Sequence, residues 1–333
     1  MTEETELKLV SNKESQEKIT IKAILKWIKS NLKFLLIPGY KIKDLMVREF
    51  EYEKTVSKRR FIRRLKYSLT IIGIIIIFLI ATLAVFPEWI SPYSFEQASY
   101  YYGNIWSPPS SNYPLGQTYG RDVLSRIIFG ARSALIIAIP AIFFSVIIGV
   151  VIGMIAAYYG RWIDSITMRL GDILLAFPGL MLAMILLSIW HPRMEYIILA
   201  YGVIGIPIYA RLIRGSVLHA RALPYIEAAK VAGAGSWRIM FKHILPNCIQ
   251  PIIIALTFDI GGIILSLAAL SFLGYGDYRL IQWGADISSA RYHIIDAPWA
   301  SLWPGFMILI SVIGFMLLGD GLRDALDPRL KDI

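Results

Sequence analysis

Few residues in this chain are able to do chemistry, and their spacing favours no reaction. The histidines His191, His219, His243 and His293 lie far apart and form no HExxH pattern. They therefore predict neither a metal site nor a nucleophile paired with its base. The single cysteine, Cys248, excludes an internal disulfide and a CxxC metal site, so we expect it to be a packing residue.

A phosphate-binding loop is also missing from the sequence. The GxxxxGK[ST] pattern needs a Gly-Lys pair, because the lysine reaches the nucleotide phosphates, and the chain contains no such pair. Any work driven by ATP must therefore be done by another polypeptide. We predict that the chain is not an enzyme and has no catalytic residue, metal or cofactor of its own.

The composition predicts an all-α membrane protein. Of its 333 residues, 56% are hydrophobic and only 17% are charged, whereas about 25% are charged in a soluble domain. A net charge of +10 would suggest a nucleic-acid partner in a soluble protein. Here the basic excess follows the cytoplasmic segments of a membrane protein, so we expect membrane lipid around the chain and no nucleic acid.

Six apolar segments predict transmembrane helices. They are Tyr67–Phe86, Ala134–Tyr158, Ile166–Trp190, Tyr196–Ala210, Ile249–Leu273 and Leu302–Leu318. Pro178 and Gly179 interrupt the third, and Gly205 and Pro207 interrupt the fourth. Such breaks are either ordinary kinks of membrane helices or hinges around a solute path.

The charges between these segments predict the orientation. With the basic N-terminal tail in the cytoplasm, only a few of the 34 Lys and Arg lie outside the cell. These are Arg121, Arg126, Arg132, Arg193, Arg279 and Arg291. We therefore predict a multi-pass protein of the cell (plasma or inner) membrane with both termini cytoplasmic.

The chain is predicted to have four parts. Residues 1–66 form a cytoplasmic basic tail, residues 67–133 the first span with its extracytoplasmic loop, residues 134–320 the core transmembrane domain, and residues 321–333 a cytoplasmic tail. Within the first part, Ile21–Ile37 is either an amphipathic helix on the inner membrane surface or a solvated stretch.

Two charged features fall inside predicted spans, where charge is costly. Arg169 and Asp172 are spaced i, i+3 and predict a structural ion pair on one helix face. Asp259 lies well inside the fifth span without a close partner in sequence, so we expect it to face other helices or a water-filled path. It is the candidate pathway residue.

Residues 211–247 form a polar, basic segment too long for a simple connection between spans. Small residues should reduce one helix surface close to backbone, so that the helix fits a groove on a partner protein. These are Ala228, Ala229, Ala232 and Gly233. Glu227 suits the positive end of a helix that begins near Pro224. Gly233 and Gly235 allow a sharp turn before the next helix.

The stretch EAAKVAGAGSWRIMFKHILPN, Glu227–Asn247, resembles the coupling loop of ABC importer permeases. Further stretches resemble one branch, the C-type subunit of the dipeptide/oligopeptide permeases: Tyr113–Leu135, Ala156–Pro178, Leu270–Gly276 and Gly319–Leu330. The resemblance implies a type I permease fold whose coupling helix docks on an ATP-binding subunit. The residues implied in coupling are Glu227, Ala228, Ala229, Gly233 and Pro246.

The same resemblance implies partners. They are a homologous B-type permease subunit, two ABC ATPase subunits that hold ATP and Mg, and an extracytoplasmic substrate-binding protein. Two positions depart from the usual pattern of the branch, Leu267 where an acid is common and Met316 where Asn is common. These departures leave the substrate open among peptides, oligosaccharides and nickel complexes. A secondary transporter is the more remote alternative, because it would carry coupling carboxylates and inverted repeats.

Overall fold

The computed structural model describes residues 68–103 and 105–326. The predicted tail at 1–66, the segment Ile21–Ile37 and the last residues of the C-terminal tail lie outside these ranges. Within them the chain is an all-α membrane protein, as the sequence predicts. Five helices are long and apolar enough to cross a membrane, or six spans if one bent pair of helices is a single crossing.

The first half contains α1 Ser68–Val85, α2 Pro87–Ile90, α3 Phe95–Ser99, the strands β1 Gln117–Thr118 and β2 Arg121–Asp122, α4 Val123–Tyr159, α5 Arg161–Leu175 and α6 Gly179–Trp190. The second half contains α7 Met194–Ala220, α8 Pro224–Val231, α9 Ser236–Arg238, a π-helical turn Ile239–Ile244, α10 Leu245–Phe272, α11 Trp283–Ala290, a 3₁₀ turn Arg291–His293 and α12 Trp299–Leu326. The two strands pair antiparallel and form a short hairpin.

Several helices continue beyond the apolar runs that predicted the spans. Helix α4 begins at Val123, so the predicted boundary at residue 134 falls inside a helix, and the connection between the first two spans is shorter than expected. The Asp122 carboxylate caps α4 by accepting the Ser125 N–H at 2.7 Å. At the other side, α7 continues to Ala220 and α12 to Leu326, ten and eight residues beyond the predicted ends at 210 and 318.

The third predicted span is not one straight helix. Helices α5 and α6 are bent by 85° at the break between Leu175 and Gly179. Pro178 explains the position of the break, because a proline removes one helical hydrogen bond and disfavours helix at the residue before it.

Close backbone packing joins α4 to α7. A Cβ atom added at Gly149 would lie 2.6 Å from the carbonyl oxygen of Ile206. One turn further along α4, a Cβ at Gly153 would collide with the backbone of Ala210. Small residues permit this approach in membrane helix pairs. The main core lies against this contact and contains buried side chains from α4, α7 and α10, including Met154.

A buried ion pair locks the end of the bundle that carries α11. Arg126 of α4 binds Asp286 of α11 through Nε, with a distance of 2.7 Å, and through Nη2. The Arg126 Nη1 group also donates to the Ala98 carbonyl at 2.6 Å. Beside it, Trp283 Nε1 donates to the Ile127 carbonyl at 3.1 Å. These bonds fix α11 and α3 on the first turns of α4.

Candidate coupling site

The 211–247 segment is mostly helical and is mounted on the ends of three long helices. Residues 211–220 continue α7. Arg221 follows as the C-cap, and its Nη1 group donates to the Ala157 carbonyl near the end of α4 at 2.8 Å. The first ten residues of the predicted polar segment therefore belong to the long helix α7 and not to a connection between spans.

Helix α8 is placed by one buried side chain. Pro224 occupies its first turn, where the missing N–H costs nothing, and Glu227 lies in the same turn near the positive end of the helix dipole. Ile226 is fully buried in the core that also holds Val217 of α7 and Met240 of the π-helical turn. This anchor joins α8 to the core of the bundle.

The outward surface of α8 is small and apolar. Glu227, Ala228, Ala232 and Gly233 are exposed, as the docking prediction requires. Ala229 differs from the prediction: it is half-buried and packs on the core, because it lies one turn after Ile226 on the inward face. Val231 is 91% exposed and completes an apolar surface that nothing in the described chain covers.

Gly233 makes the turn that ends α8. Its φ is +78°, a conformation that glycine adopts without strain. The Gly233 N–H donates to the Lys230 carbonyl at 2.9 Å, and the Ala234 N–H donates to the Ala229 carbonyl at 3.0 Å. These two bonds form a Schellman motif, which confirms the predicted sharp turn.

The chain returns to the bundle through α9 and the π-helical turn. Pro246 is exposed in the first turn of α10, directly after the π-helical residues. Its missing N–H is consistent with the wide turn that precedes it. The exposed ring of Trp237 stacks on Phe241 with a centroid distance of 5.2 Å, which adds a flat aromatic surface beside α8.

The charge on this surface is positive. Exposed basic side chains surround α8 and oppose the single acid Glu227. They are Arg221, Lys230, Arg238 and Lys242. An apolar centre with a basic rim is the arrangement of a protein-binding surface, and it favours a partner with acidic residues at its edge.

The amino-acid sequence of this part of the chain is similar to that of known proteins. Residues 149–332 match the family model described as the inner membrane component of binding-protein-dependent transport systems. The match contains α8, Gly233, Pro246 and Asp259. The chain belongs to this family. Members are the permease components of ABC transporters, so the chain is a multi-pass membrane permease subunit and not itself catalytic, as predicted.

The permease is similar to named relatives over most of its length. It is 40% identical to the dipeptide transport system permease protein DppC of Alkalihalophilus pseudofirmus, over 85% of this chain and 93% of that protein. It is 40% identical to the glutathione transport system permease protein GsiD of Pectobacterium atrosepticum, over 82% and 90%. It is 38% identical to the di/tripeptide transport system permease protein DppC of Pseudomonas aeruginosa, over 78% and 88%. The predicted dipeptide/oligopeptide branch is confirmed.

The candidate pathway residue of the permease has a partner that the sequence did not reveal. Asp259 of α10 is half-buried and accepts a 2.6 Å hydrogen bond from the Tyr209 hydroxyl of α7. The two residues are 50 positions apart, and no local pattern in one sequence joins them. Its role in the solute path stays a prediction.

The predicted Arg169–Asp172 ion pair was wrong. The Asp172 carboxylate of α5 instead accepts from Arg211 Nη2 of α7 at 2.6 Å. Closer to the start of α5, Asp164 accepts two bonds of 2.6 Å from the Nε and Nη2 groups of Arg214. Helix α5 thus binds the neighbouring helix through its acids, because α7 offers two arginines one turn apart.

No group of three or more metal-binding side chains occurs in residues 68–103 and 105–326. Cys248 is buried in the first turns of α10 and packs in the main core. Leu267 is buried too, whereas Met316 is 46% exposed on α12.

Proposed function

We propose that this permease is the C-type subunit of an ATP-driven importer for di- and oligopeptides. Its coupling surface, which we define as the exposed part of residues 221–247, receives work from an ATPase and passes it to the transmembrane helices. One observation carries this proposal: α8 presents an uncovered apolar surface while its single buried residue, Ile226, lies in the core between the long helices.

The packing supports a mechanical link. Ile226 contacts the core shared by α4, α7 and α10, and Arg221 binds the end of α4. A close-packed interior transmits displacement rather than absorbing it. Movement of α8 on its partner therefore shifts the cytoplasmic ends of three helices together. This is the movement that converts an inward-open permease into an outward-open one.

The partners follow from this role. Two ABC ATPase subunits hold ATP and Mg, and one of them receives the coupling surface of this chain. A homologous B-type permease subunit forms the other half of the solute path. An extracytoplasmic binding protein delivers the solute to the end that carries α11. Both termini and the coupling surface are cytoplasmic, in agreement with the basic residues around α8.

Peptides are the substrate class best supported. The named relatives carry dipeptides, di/tripeptides or glutathione, all of which contain peptide bonds and charged ends. Oligosaccharides and nickel complexes, which the sequence left open, lack this support. A secondary transporter is disfavoured by family membership.

Reconstitution tests the whole proposal. The chain is assembled in proteoliposomes with its candidate B-type partner and ATPases, and uptake is measured with ATP and a loaded binding protein. We expect uptake of labelled peptides that depends on ATP, and none with an oligosaccharide. A purified native complex without an ATPase subunit, or peptide uptake without ATP, would contradict the proposal.

A further inference from the structure

Helix α5 has two different exposed surfaces. None of its residues is buried, although it lies beside α7. One exposed surface is apolar and contains Trp162, Ile166, Leu170 and Ile173. The other is polar and contains Ser165, Arg169 and Asp172, which are spaced i, i+4 and i+7 and so share a face. The two surfaces require different surroundings.

Arg211 of α7 extends the polar surface of α5. It meets Asp172 at 2.6 Å, and both side chains stay open, with exposed fractions of 53% and 65%. The neighbouring pair Arg214–Asp164 is more enclosed, at 33% and 17%, and is held by two hydrogen bonds. We call Ser165, Arg169, Asp172 and Arg211 the inner polar strip.

The inner polar strip lies alongside the helical bundle and not on its loops. Arg211 is about 14 Å from the end of α7 at Ala220, taking a rise of about 1.5 Å per residue. The residue before it, Ala210, packs against Gly153 inside α4. Asp172 is likewise about 16 Å from the start of α5 on the same scale. Where exposed charges of these helices meet the membrane they need water or protein around them, because hydrocarbon excludes charge that neither solvates.

We propose that the inner polar strip lines the cytoplasmic end of the solute path. We further propose that Asp172 and Arg211 separate there to hold the two ends of a zwitterionic peptide. Asp172 accepts from the ammonium end, and the Arg211 guanidinium donates to the carboxylate end, a pairing that favours bidentate geometry. The apolar surface of α5 faces lipid or the B-type subunit. This inference rests on the proposed function, since it assumes a peptide as solute.

The chain offers a clean background for an accessibility test. Its single cysteine is replaced in Cys248→Ser, and uptake by the reconstituted complex is measured first. Single cysteines are then placed in the strip, at Ser165, Asp172 and Arg211, and on the apolar surface, at Ile166 and Leu170. Water-soluble, membrane-impermeant thiol reagents of either charge are added from the ATPase side.

We expect the strip cysteines to react at least about tenfold faster than the apolar ones, because a thiol reacts as thiolate and needs water to ionise. We also expect this labelling to fall when ATP and vanadate hold the ATPases closed, since the cytoplasmic end of the path then closes. Slow labelling of the strip would overturn the proposal, because it would show that the partner subunit or lipid covers these residues. Labelling at the same rate in every ATPase state would also overturn the proposal, because the strip would then be a surface in permanent contact with the cytoplasm.

Charge variants test the contact with the solute. Asp172→Asn and Arg211→Gln should each lower peptide uptake at least about tenfold, the size expected for one lost hydrogen bond to a charged group. The matched control Asp164→Asn removes a carboxylate from the same helix and should lower thermal stability while uptake per assembled complex is kept. Equal losses in all three variants would contradict a role in solute contact.

A charge exchange separates solute contact from a purely structural role. The double variant Asp172→Arg, Arg211→Asp keeps an ion pair between α5 and α7, so its thermal stability should equal that of the unmodified complex. Uptake should stay low, because each end of the delivered peptide now meets a like charge. Full uptake in this variant would overturn the inference alone, whereas absence of ATP-dependent peptide uptake in the unmodified complex would overturn the proposed function.

Discussion

The hydroxyl of Tyr209 on α7 donates a 2.6 Å hydrogen bond to the carboxylate of Asp259 on α10. The bond joins two long helices whose ends both carry the proposed coupling surface, α7 through Arg221 and α10 through Pro246. Tyr209 is buried in the core, and Asp259 is half-buried beside it. The pair therefore connects the same helices that α8 is proposed to move.

Removal of this bond should destabilise the permease. Tyr209→Phe leaves the carboxylate of Asp259 without its donor, and we expect a loss of about 0.5–2 kcal/mol in the free energy of unfolding. The measurement is thermal unfolding of the purified complex in detergent. Tyr201→Phe is the matched control on the same helix: its buried hydroxyl has no hydrogen-bond partner in the described part of the chain, so its removal should cost nothing. Equal losses in both variants would contradict the prediction.

Removing one partner of the Arg126–Asp286 pair should destabilise the permease strongly, whereas replacing both partners by apolar residues should destabilise it much less. The side chains are only 8% and 3% exposed, so Asp286→Ala leaves a buried guanidinium without its carboxylate. We expect a loss of about 3–5 kcal/mol, seen as a lower unfolding temperature or failed assembly. The double variant Arg126→Met, Asp286→Leu should recover much of this loss, because apolar side chains of similar size need no partner.

An exposed pair at the same end of the molecule provides the comparison. Arg132 and Glu88 are 3.8 Å apart and about half exposed. Glu88→Gln should therefore change the free energy of unfolding by at most about 1 kcal/mol. A larger effect than that of Asp286→Ala would reverse the expected order and contradict the account of both pairs.

Asp277 should make the permease sensitive to acid. Burial alone would raise the pKa of its carboxyl, but hydrogen bonds from the side chain and N–H of Arg279 and from the Met194 N–H outweigh burial and lower the pKa. A lowered pKa in the folded chain stabilises it fully above the unfolded value of about 3.9, and this stabilisation is lost as the pH falls through the folded pKa. Asp277→Asn should therefore unfold more easily at neutral pH and lose part of the acid dependence.

The measurement is the unfolding temperature of both proteins between neutral pH and the acid limit. Asp296→Asn is the control, since it replaces an exposed carboxylate at the same end of the molecule. It should leave the unfolding temperature at neutral pH unchanged, because an exposed surface substitution changes stability little. If Asp277→Asn keeps the unmodified profile, the carboxylate does not stabilise the junction between α7 and the loop after α10.

The sequence allowed prediction of the features that depend on local physics. Apolar length located the spans, and Pro224, Glu227 and Gly233 located α8 and its turn, because each acts within a few residues of itself. The start of α4 was missed although a signal was present: Asp122 is an N-cap residue directly before the helix. The apolar pattern begins later only because buried polar side chains, Arg126 among them, occupy the first turns.

Contacts between helices could not be predicted in this way. Asp172 binds Arg211 of α7 and not Arg169 of its own helix. Which arginine is nearer depends on the distance between the two helices and not on the spacing along one helix. The same holds for Tyr209 with Asp259. Pro178 marked the break in the third span, but the bend of 85° depends on what α5 and α6 each pack against. A single sequence carries no record of these distances.

Gly233 provides the sharpest test of coupling. Its φ of +78° is strained for other residues, and a Cβ there meets nothing within 4 Å, so the space around it is open. Gly233→Trp should leave membrane insertion and complex stability almost intact, with a backbone strain of about 1–2 kcal/mol. It should abolish uptake and the stimulation of ATP hydrolysis by loaded binding protein, because the indole fills the surface that docks.

Two control variants accompany this test. Gly233→Asn tolerates the same turn and should keep most of the activity. Gly103→Trp is the matched control for insertion and stability, a glycine with φ of +113° and open space at the other end of the molecule, and it should insert and assemble to the same extent as Gly233→Trp. Normal uptake in Gly233→Trp would show that the turn after α8 is not part of the docking surface.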